Sequence, residues 1–368
     1  MAADKKDELQ RNDGQRQPWP RAILHLDMDA FFVNVHRLEH PEDIGIPMAV
    51  GGRPDSRGVI ASASYEARQF GVRSAMPSSR ALRLCPQLKI VGHNWTQIKA
   101  CSSAVMAILA EYGPLERMSV DEAFVDVSEA LEPETLADTI RRRVKEETSL
   151  PASVGLATSK LVAKVASDYE KPEGCTIVPP GQEAAFLAPQ PVRVIWGIGP
   201  RTAERLEGQL NIRTCGELAA QDTGDLVNLF GQHAESLQRR AMGIDRRQVR
   251  AESGPPKSIS QEWTFSRDVD DPQVLRDQLR KQSSSVARSL QRRNLVAHTV
   301  RVKFRWADFT TFTRQKSVTV GIDHEEKIFR LALAIWQENW PQGQRMRLLG
   351  VGVSNLEAPT ARQFDLGL

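Results

Sequence analysis

The chain has 368 residues, with 49 Lys and Arg against 46 Asp and Glu and a formal net charge of +3. That length exceeds a single hydrophobic core, so several domains are expected. A nearly balanced charge excludes neither acidic nor basic partners, because the two signs can be segregated along the chain. The cysteines, Cys85, Cys101, Cys175 and Cys215, form no C-x-x-C pair. That argues against a zinc site or a disulfide framework and for reduced thiols in a cytoplasm.

Residues 1–20 are polar and charged, lack the apolar stretch of a signal peptide, and read as a disordered leader. No run approaches the length of a membrane span. Residues 22–29 read as a strand ending in Asp27 and Asp29. Residues 96–112 place Ile98, Cys101, Val105, Ile108 and Tyr112 on one helical face. Leu115–Met118 and Ala123–Val127 read as two short strands around Asp121 and Glu122. Pro133–Thr148 and Ser159–Tyr169 read as helices, with a strand at Ala152–Leu156 between them. With 30–95 set aside, the order is β-α-β-β-α-β, the ferredoxin-like arrangement. Its central strands are the first and third, which brings Asp27 beside Asp121.

Pro179, Pro180, Pro189 and Pro191 mark a boundary, followed by short helical segments to about Asp245. Residues 246–257 lack apolar periodicity and read as a linker. A second β-α-β-β-α-β string follows. Its strands are near 259–266, 299–306, 312–320 and 347–356, and its helices near 272–293 and 324–339, with no convincing sequence repeat between the halves.

Adjacent acids between apolar strands repel, and a cation resolves that repulsion. Carboxylates without His or Cys favour magnesium, with manganese as a substitute, and two such ions suit phosphoryl transfer. In His298–Trp306, apolar Val300, Val302, Phe304 and Trp306 alternate with Arg301, Lys303 and Arg305, so one sheet face is a row of cations. Arg314 and Lys316 are expected to extend that row in the next strand. Such a row matches a phosphate backbone and carries no base-reading chemistry. Ile195–Pro200, with Gly197 and Gly199, precedes a helix and reads as a phosphate-binding turn or a tight structural one.

Leu26–Phe32, Tyr65–Arg68, Ser119–Phe124 and Lys171–Gly174, in this order, resemble the motifs of Y-family DNA polymerases. The resemblance runs from about residue 22 to the C-terminus. It implies an α+β right-hand polymerase, with a disordered leader at 1–20 and a ferredoxin-like palm at 21–30 and 88–178. An inserted fingers lobe occupies 31–87. A helical thumb with a helix-hairpin-helix occupies 179–247, a linker 248–257, a little finger 258–357 and a tail 358–368.

The resemblance also implies roles. Asp27, Asp121 and the Met28 carbonyl hold a nucleotide-bound Mg2+, and Glu122 completes the site for a second ion that activates the primer 3′-hydroxyl. Tyr65, Arg68 and Lys171 grip the triphosphate. Phe31 and Phe32 lie at the nucleotide, with Phe32 the steric gate whose ring leaves no room for a ribose 2′-hydroxyl. Gln363, Phe364, Asp365, Leu366 and Leu368 resemble a peptide that binds a sliding clamp. Asn94 and Ile98 depart from the basic residue and tyrosine that relatives often carry, and Glu170 and Glu173 make the Lys171 neighbourhood acidic.

The expected enzyme is a monomer without a membrane association, acting on primer-template DNA and deoxynucleoside triphosphates. It is error-tolerant, bypasses lesions and has no proofreading exonuclease. A palm-fold nucleotidyl cyclase and a non-catalytic DNA-binding scaffold are the rival readings. A cyclase needs no thumb or basic little finger, and a scaffold has no need of the acids.

Overall fold

The computed structural model describes residues 19–251 and 254–359. In chain order the elements are β1 (Ile23–Met28), α1 (Phe31–Glu39), β2 (Met48–Gly51), β3 (Ile60–Ala63), α2 (Tyr65–Gln69), α3 (Ser78–Leu84) and β4 (Lys89–Val91). Next come α4 (Trp95–Ala110), β5 (Leu115–Arg117), β6 (Glu122–Asp126), α5 (Pro133–Thr148), β7 (Ala152–Ala157), α6 (Lys160–Tyr169) and β8 (Cys175–Ile177). The helices α7 (Glu183–Leu187), α8 (Pro200–Leu210), α9 (Cys215–Ala220), α10 (Thr223–Phe230) and α11 (Ala234–Ala241) follow. The last stretch holds β9 (Ser258–Val269), α12 (Pro272–Arg292), β10 (Val296–Trp306), β11 (Thr311–Ile322), α13 (Glu325–Asn339) and β12 (Met346–Glu357). Among the described residues no helix is long and apolar enough to cross a membrane.

The chain divides into two compact units. The first takes the described residues up to Val50, Ala61–Val72 and 87–251. Its main sheet has the order β5-β6-β1-β7-β8. The four strands anticipated from sequence have the ferredoxin-like order, and β8 adds a fifth strand parallel to β7. β1 is central and antiparallel to both neighbours, with Asp27 opposite Glu122 on one side and Ser153 on the other.

Ile23, Leu24, His25 and Leu26 are all buried because both faces of this sheet are covered. Leu24, Leu26 and Met28 join a core with Val105 and Ile108 of α4 and Ile140 and Val144 of α5. Ile23 and Phe124 join the opposite core with Leu161, Val162 and Val165 of α6, which continues into Leu206, Leu218 and Leu226 of the helical segment. Strand parity therefore sorts the side chains: even positions of β1 face α4 and α5, and odd positions face α6.

The second unit comprises Gly51–Ile60, Arg73–Pro86 and the described residues from Gly254 onward. Its sheet has the order β11-β10-β12-β9, antiparallel throughout. Val300, Val302 and Phe304 pack with Leu275, Leu279 and Val286 of α12 and Ile328 and Phe329 of α13 on one face. Two stretches of the segment expected as an inserted lobe belong to this unit. Arg57 donates to the Phe265 carbonyl at 3.2 Å and pairs with Asp268 at 2.7 Å.

Candidate active site

Residues directly opposite in an antiparallel pair share a face, so the Asp27–Glu122 register puts both carboxylates on the α6 side of the sheet. Asp121 precedes β6. Met28 N–H donates to the Asp121 carbonyl at 2.9 Å, which ties the turn to the end of β1. Ser119 shapes the turn. Its hydroxyl accepts from the Asp121 and Glu122 amides at 3.1 and 3.2 Å and donates to the Asp121 carboxylate.

Lysines from and beyond α6 face these acids. Lys171 Nζ lies 2.6 Å from Asp27 and 2.9 Å from Asp168. Burial raises Asp27 from an ordinary 3.8 to about 6, with Lys171 opposing the rise. Burial alone would lower Lys171, but Asp27 and Asp168 carry its pKa upward instead. Glu122 is held at about 2 by His25, whose Nε2 is 3.6 Å away, and by the ammonium of Lys164 in direct contact. His25 is fully buried, which lowers it to about 4, and its Nδ1 meets Ser167 Oγ at 2.7 Å.

The second acid of the Asp-Met-Asp string has a different place. Asp29 is buried and its carboxylate accepts from Tyr65 Oη at 2.9 Å, Ser153 Oγ at 2.9 Å and the Glu173 amide at 2.8 Å. It thereby joins three separate chain segments around the predicted triphosphate residues. Burial and Asp29 together raise the Tyr65 pKa. Arg68 lies over the Tyr65 ring, 4.6 Å from its centroid, and donates from Nε to the Ala63 carbonyl at 3.1 Å. Spacing of three in α2 does bring these two side chains to one face, where they stack. Of the acids flanking Lys171, Glu173 pairs with Lys145 at 2.5 Å and Glu170 accepts from Thr176 at 3.2 Å, so neither holds the lysine.

Phe31 is buried, and Phe32 beside it is half-buried with its ring centroid 5.8 Å away. Asn94 caps α4 by accepting from the Gln97 amide at 3.3 Å, and Ile98 is core. Both departures from the family pattern thus have structural employment. Gly197 has a φ of 102°, a conformation that favours glycine, and Gly199 is the N-cap of α8.

On the second unit, Arg301, Lys303 and Arg305 project from the sheet face opposite the helices. Lys303 pairs with Glu262 at 2.8 Å, and Arg305 donates to Thr311 at 2.8 Å. The expected extension by Arg314 and Lys316 is corrected. They stand opposite Val302 and Val300 and so share the helix-packed face, whereas Gln315 and Thr313 lie beside Arg301 and Lys303. Lys316 accordingly pairs with Glu338 of α13. The predicted clamp residues Gln363, Phe364, Asp365, Leu366 and Leu368 lie outside the described residues.

Sequence reasoning missed Asp29, Ser119, Ser153, His25 and Lys164. The available signal for the last was the polar stripe Lys160, Lys164, Asp168, spaced i, i+4 on a helix whose residues 161–163 and 165–167 are buried. Lys160 is itself buried, bonded to Glu116 at 2.6 Å and set over the Phe124 ring.

A carboxylate-bearing palm sheet of this order and a separate four-stranded sheet with a cationic face together define a polymerase fold. A solved Y-family DNA polymerase chimera superimposes with a TM-score of 0.80 at 24% identity, covering 92% of this chain and 99% of its own. The impB/mucB/samB family model matches residues 26–168, its C-terminal domain model residues 256–366, and the HHH-motif model of the IMS family residues 180–212. A DNA polymerase IV of Halorhodospira halophila is 40% identical over 351 residues, covering 94% of this chain and 98% of its own. A DNA polymerase IV of Dehalococcoides mccartyi is 41% identical over 345 residues, covering 92% and 88%. The chain belongs to the impB/mucB/samB family of Y-family DNA polymerases.

Membership of that family implies dependence on a divalent metal. Among the described residues no three His, Cys, Asp or Glu side chains converge as a metal cage. The donor chemistry nevertheless fits a hard cation. Asp27 and Glu122 share one face, offer only carboxylate oxygens, and each already holds a positive ammonium group.

Proposed function

We propose that this chain is a template-directed DNA polymerase that extends a primer with deoxynucleotides, tolerates damaged template bases and does not edit its product. The observation that carries the reading is the Asp27–Glu122 register pair with Asp121 on the adjoining turn, at the end of the central palm strand. Asp27, Asp121, Glu122 and the Met28 carbonyl are the residues to hold two magnesium ions. Such ions, when bound, lower the pKa of a primer hydroxyl and neutralise a leaving pyrophosphate.

The protein's own groups do the rest by positioning and charge. Lys171 and Arg68 supply positive charge to the triphosphate, and Arg is suited to bidentate phosphate contact. Tyr65 is oriented by its hydrogen bond to Asp29. Phe32 limits the space at the sugar. The segment read as fingers is short and Ala30, Ala61, Ala63 and Ala75 are small, which supports the error-tolerant, lesion-bypassing reading. The cationic row at Arg301, Lys303 and Arg305 suits a phosphate backbone.

Primer extension with magnesium across a panel of defined template lesions tests this. Extension past at least one lesion, without 3′ shortening of the primer, is expected. Failure to extend an undamaged template would favour a nucleotidyl cyclase or a DNA-binding scaffold. The terminal peptide 363–368 is proposed to dock in an apolar groove of a sliding clamp. Its removal is expected to spare basal extension and abolish stimulation by a loaded clamp.

A further inference from the structure

A gate that excludes a 2′-hydroxyl works only if its ring cannot move aside. Phe32 is the second residue of α1 and half-buried, so its own helix fixes it on one side only. Phe31 meets it there. Two further rings approach from a stretch some sixty residues away. His93 presents itself at 5.9 Å and 74°, and Trp95 at 5.6 Å and 72°, both edge-to-face with Phe32. His93 and Trp95 also lie parallel to each other, within 2° and with centroids 5.6 Å apart.

The local chain explains how these rings are delivered. β4 pairs in parallel with β2, Val91 opposite Val50, which sets where the turn into α4 begins. Asn94 caps α4, so Trp95 is the first helical residue and its direction is fixed by the cap. Trp95 remains 49% exposed. A large apolar ring left half in solvent and stacked on an imidazole gains little from burial, so its contact with Phe32 is the more informative feature.

We propose that His93 and Trp95 are positioning residues for sugar selection, forming a wall that holds the Phe32 ring in place against a ribose 2′-hydroxyl. This rests on the reading of Phe32 as the steric gate. To admit a ribonucleotide, Phe32 must tilt or shift, and both edge-to-face contacts oppose that movement. Removing the wall leaves the gate present but yielding.

The test is single-nucleotide insertion of dCTP and CTP, read as the ratio of the two kcat/KM values. Because both come from one preparation, the folded fraction cancels. Trp95→Ala is expected to lower the preference for dCTP roughly three- to tenfold, about what one such aromatic contact is worth. His93→Ala should lower it less, and Trp95→Phe should restore most of it. Phe32→Ala should give the largest loss. The double variant Phe32→Ala, Trp95→Ala should be no less selective than Phe32→Ala alone, because the wall acts through the ring. An unchanged ratio in Trp95→Ala with a relaxed Phe32→Ala would overturn the wall and leave the gate standing. Additive losses in the double variant would also overturn it, since Trp95 would then act independently. An unchanged ratio in Phe32→Ala would remove the gate reading itself, and the wall with it.

Discussion

The palm and the little-finger sheets share a β-α-β-β-α-β string and thread it in opposite senses. In the palm the hairpin joins the rest of the sheet through its second strand, giving β5-β6-β1-β7. In the other sheet it joins through its first, giving β11-β10-β12-β9. The palm sheet is covered on both faces, and the other on one. Covering both faces buries carboxylates and makes opposing charge necessary, and Lys171 and Lys164 supply it. Leaving one face open lets cations stand in solvent on a flat surface, which suits a long polyanion with no deep pocket. One architecture yields paired carboxylates in a covered site and the other an open cationic surface.

The largest expected effect tests the palm half of that contrast. Asp121→Asn or Glu122→Gln keeps volume and removes the carboxylate charge. Extension should fall by roughly a thousandfold or more, with DNA affinity retained, because the lost charge stabilisation belongs to the reaction. A gel-based extension assay beside a binding isotherm checks both halves. Loss of DNA binding in either variant would show that the acids and the open sheet are not separable in function.

The open face is tested next. Replacing Arg301, Lys303 and Arg305 with Ala should weaken DNA binding alike on all sequences. The log-affinity against log-salt slope should flatten by up to about one unit per lost phosphate contact. Fluorescence anisotropy over a salt series measures this. An effect restricted to certain sequences would mean the sheet reads bases.

Burial in the palm has a consequence in pH. Asp27 titrates at about 6 against an ordinary 3.8. A cation binds the ionised form, so protons compete below that value. Apparent metal affinity should therefore rise with pH up to about 6 and level off above it, by about tenfold per pH unit on the sloping side. Glu122, held at about 2, adds no dependence in this window. Metal titrations of extension between about pH 5 and pH 8 give the curve, and a flat response across it would show that Asp27 is not a ligand.

How far the sequence revealed these features follows from the same contrast. Strands β10 and β12 were legible, and β10 declares its two faces by alternation. Strand order pointed to the meeting of β1 and β6; the register sets Glu122, not Asp121, opposite Asp27, with the Asp121 backbone tied to Met28 on the adjoining turn. β8 was missed because Cys175–Ile177 is short and only half-buried, with no period to detect. Lys164 was missed because a polar i, i+4 stripe reads as a solvated face until the parity of β1 places Asp27 and Glu122 beneath it. Asp29 was obscured by its neighbour: two acids two residues apart suggest one task, but Asp29 lies beyond the strand and turns into the core. Arg314 and Lys316 were misplaced because composition names a strand's charges while the turn between Trp306 and Thr311 sets which face they occupy.

The smallest effect concerns an acid set among those cations. Glu262 of β9 reaches across Gly350 of β12 to Lys303, and a Cβ at Gly350 would come within 2.9 Å of the Glu262 Cγ. The glycine therefore permits the pair. With side chains about two-fifths and one-third exposed, this ion pair adds little to stability. Its effect on DNA is another matter, since Lys303 must leave Glu262 to meet a phosphate, and the stranded carboxylate then faces the polyanion. Glu262→Gln should strengthen DNA binding a few-fold at low salt and steepen the salt slope by less than about one unit, with thermal stability almost unchanged. Anisotropy titrations at three salt concentrations, with a melting curve alongside, measure both quantities. Equal affinity and slope in the variant would show that Lys303 stays clear of the phosphates, leaving the grip to Arg301 and Arg305.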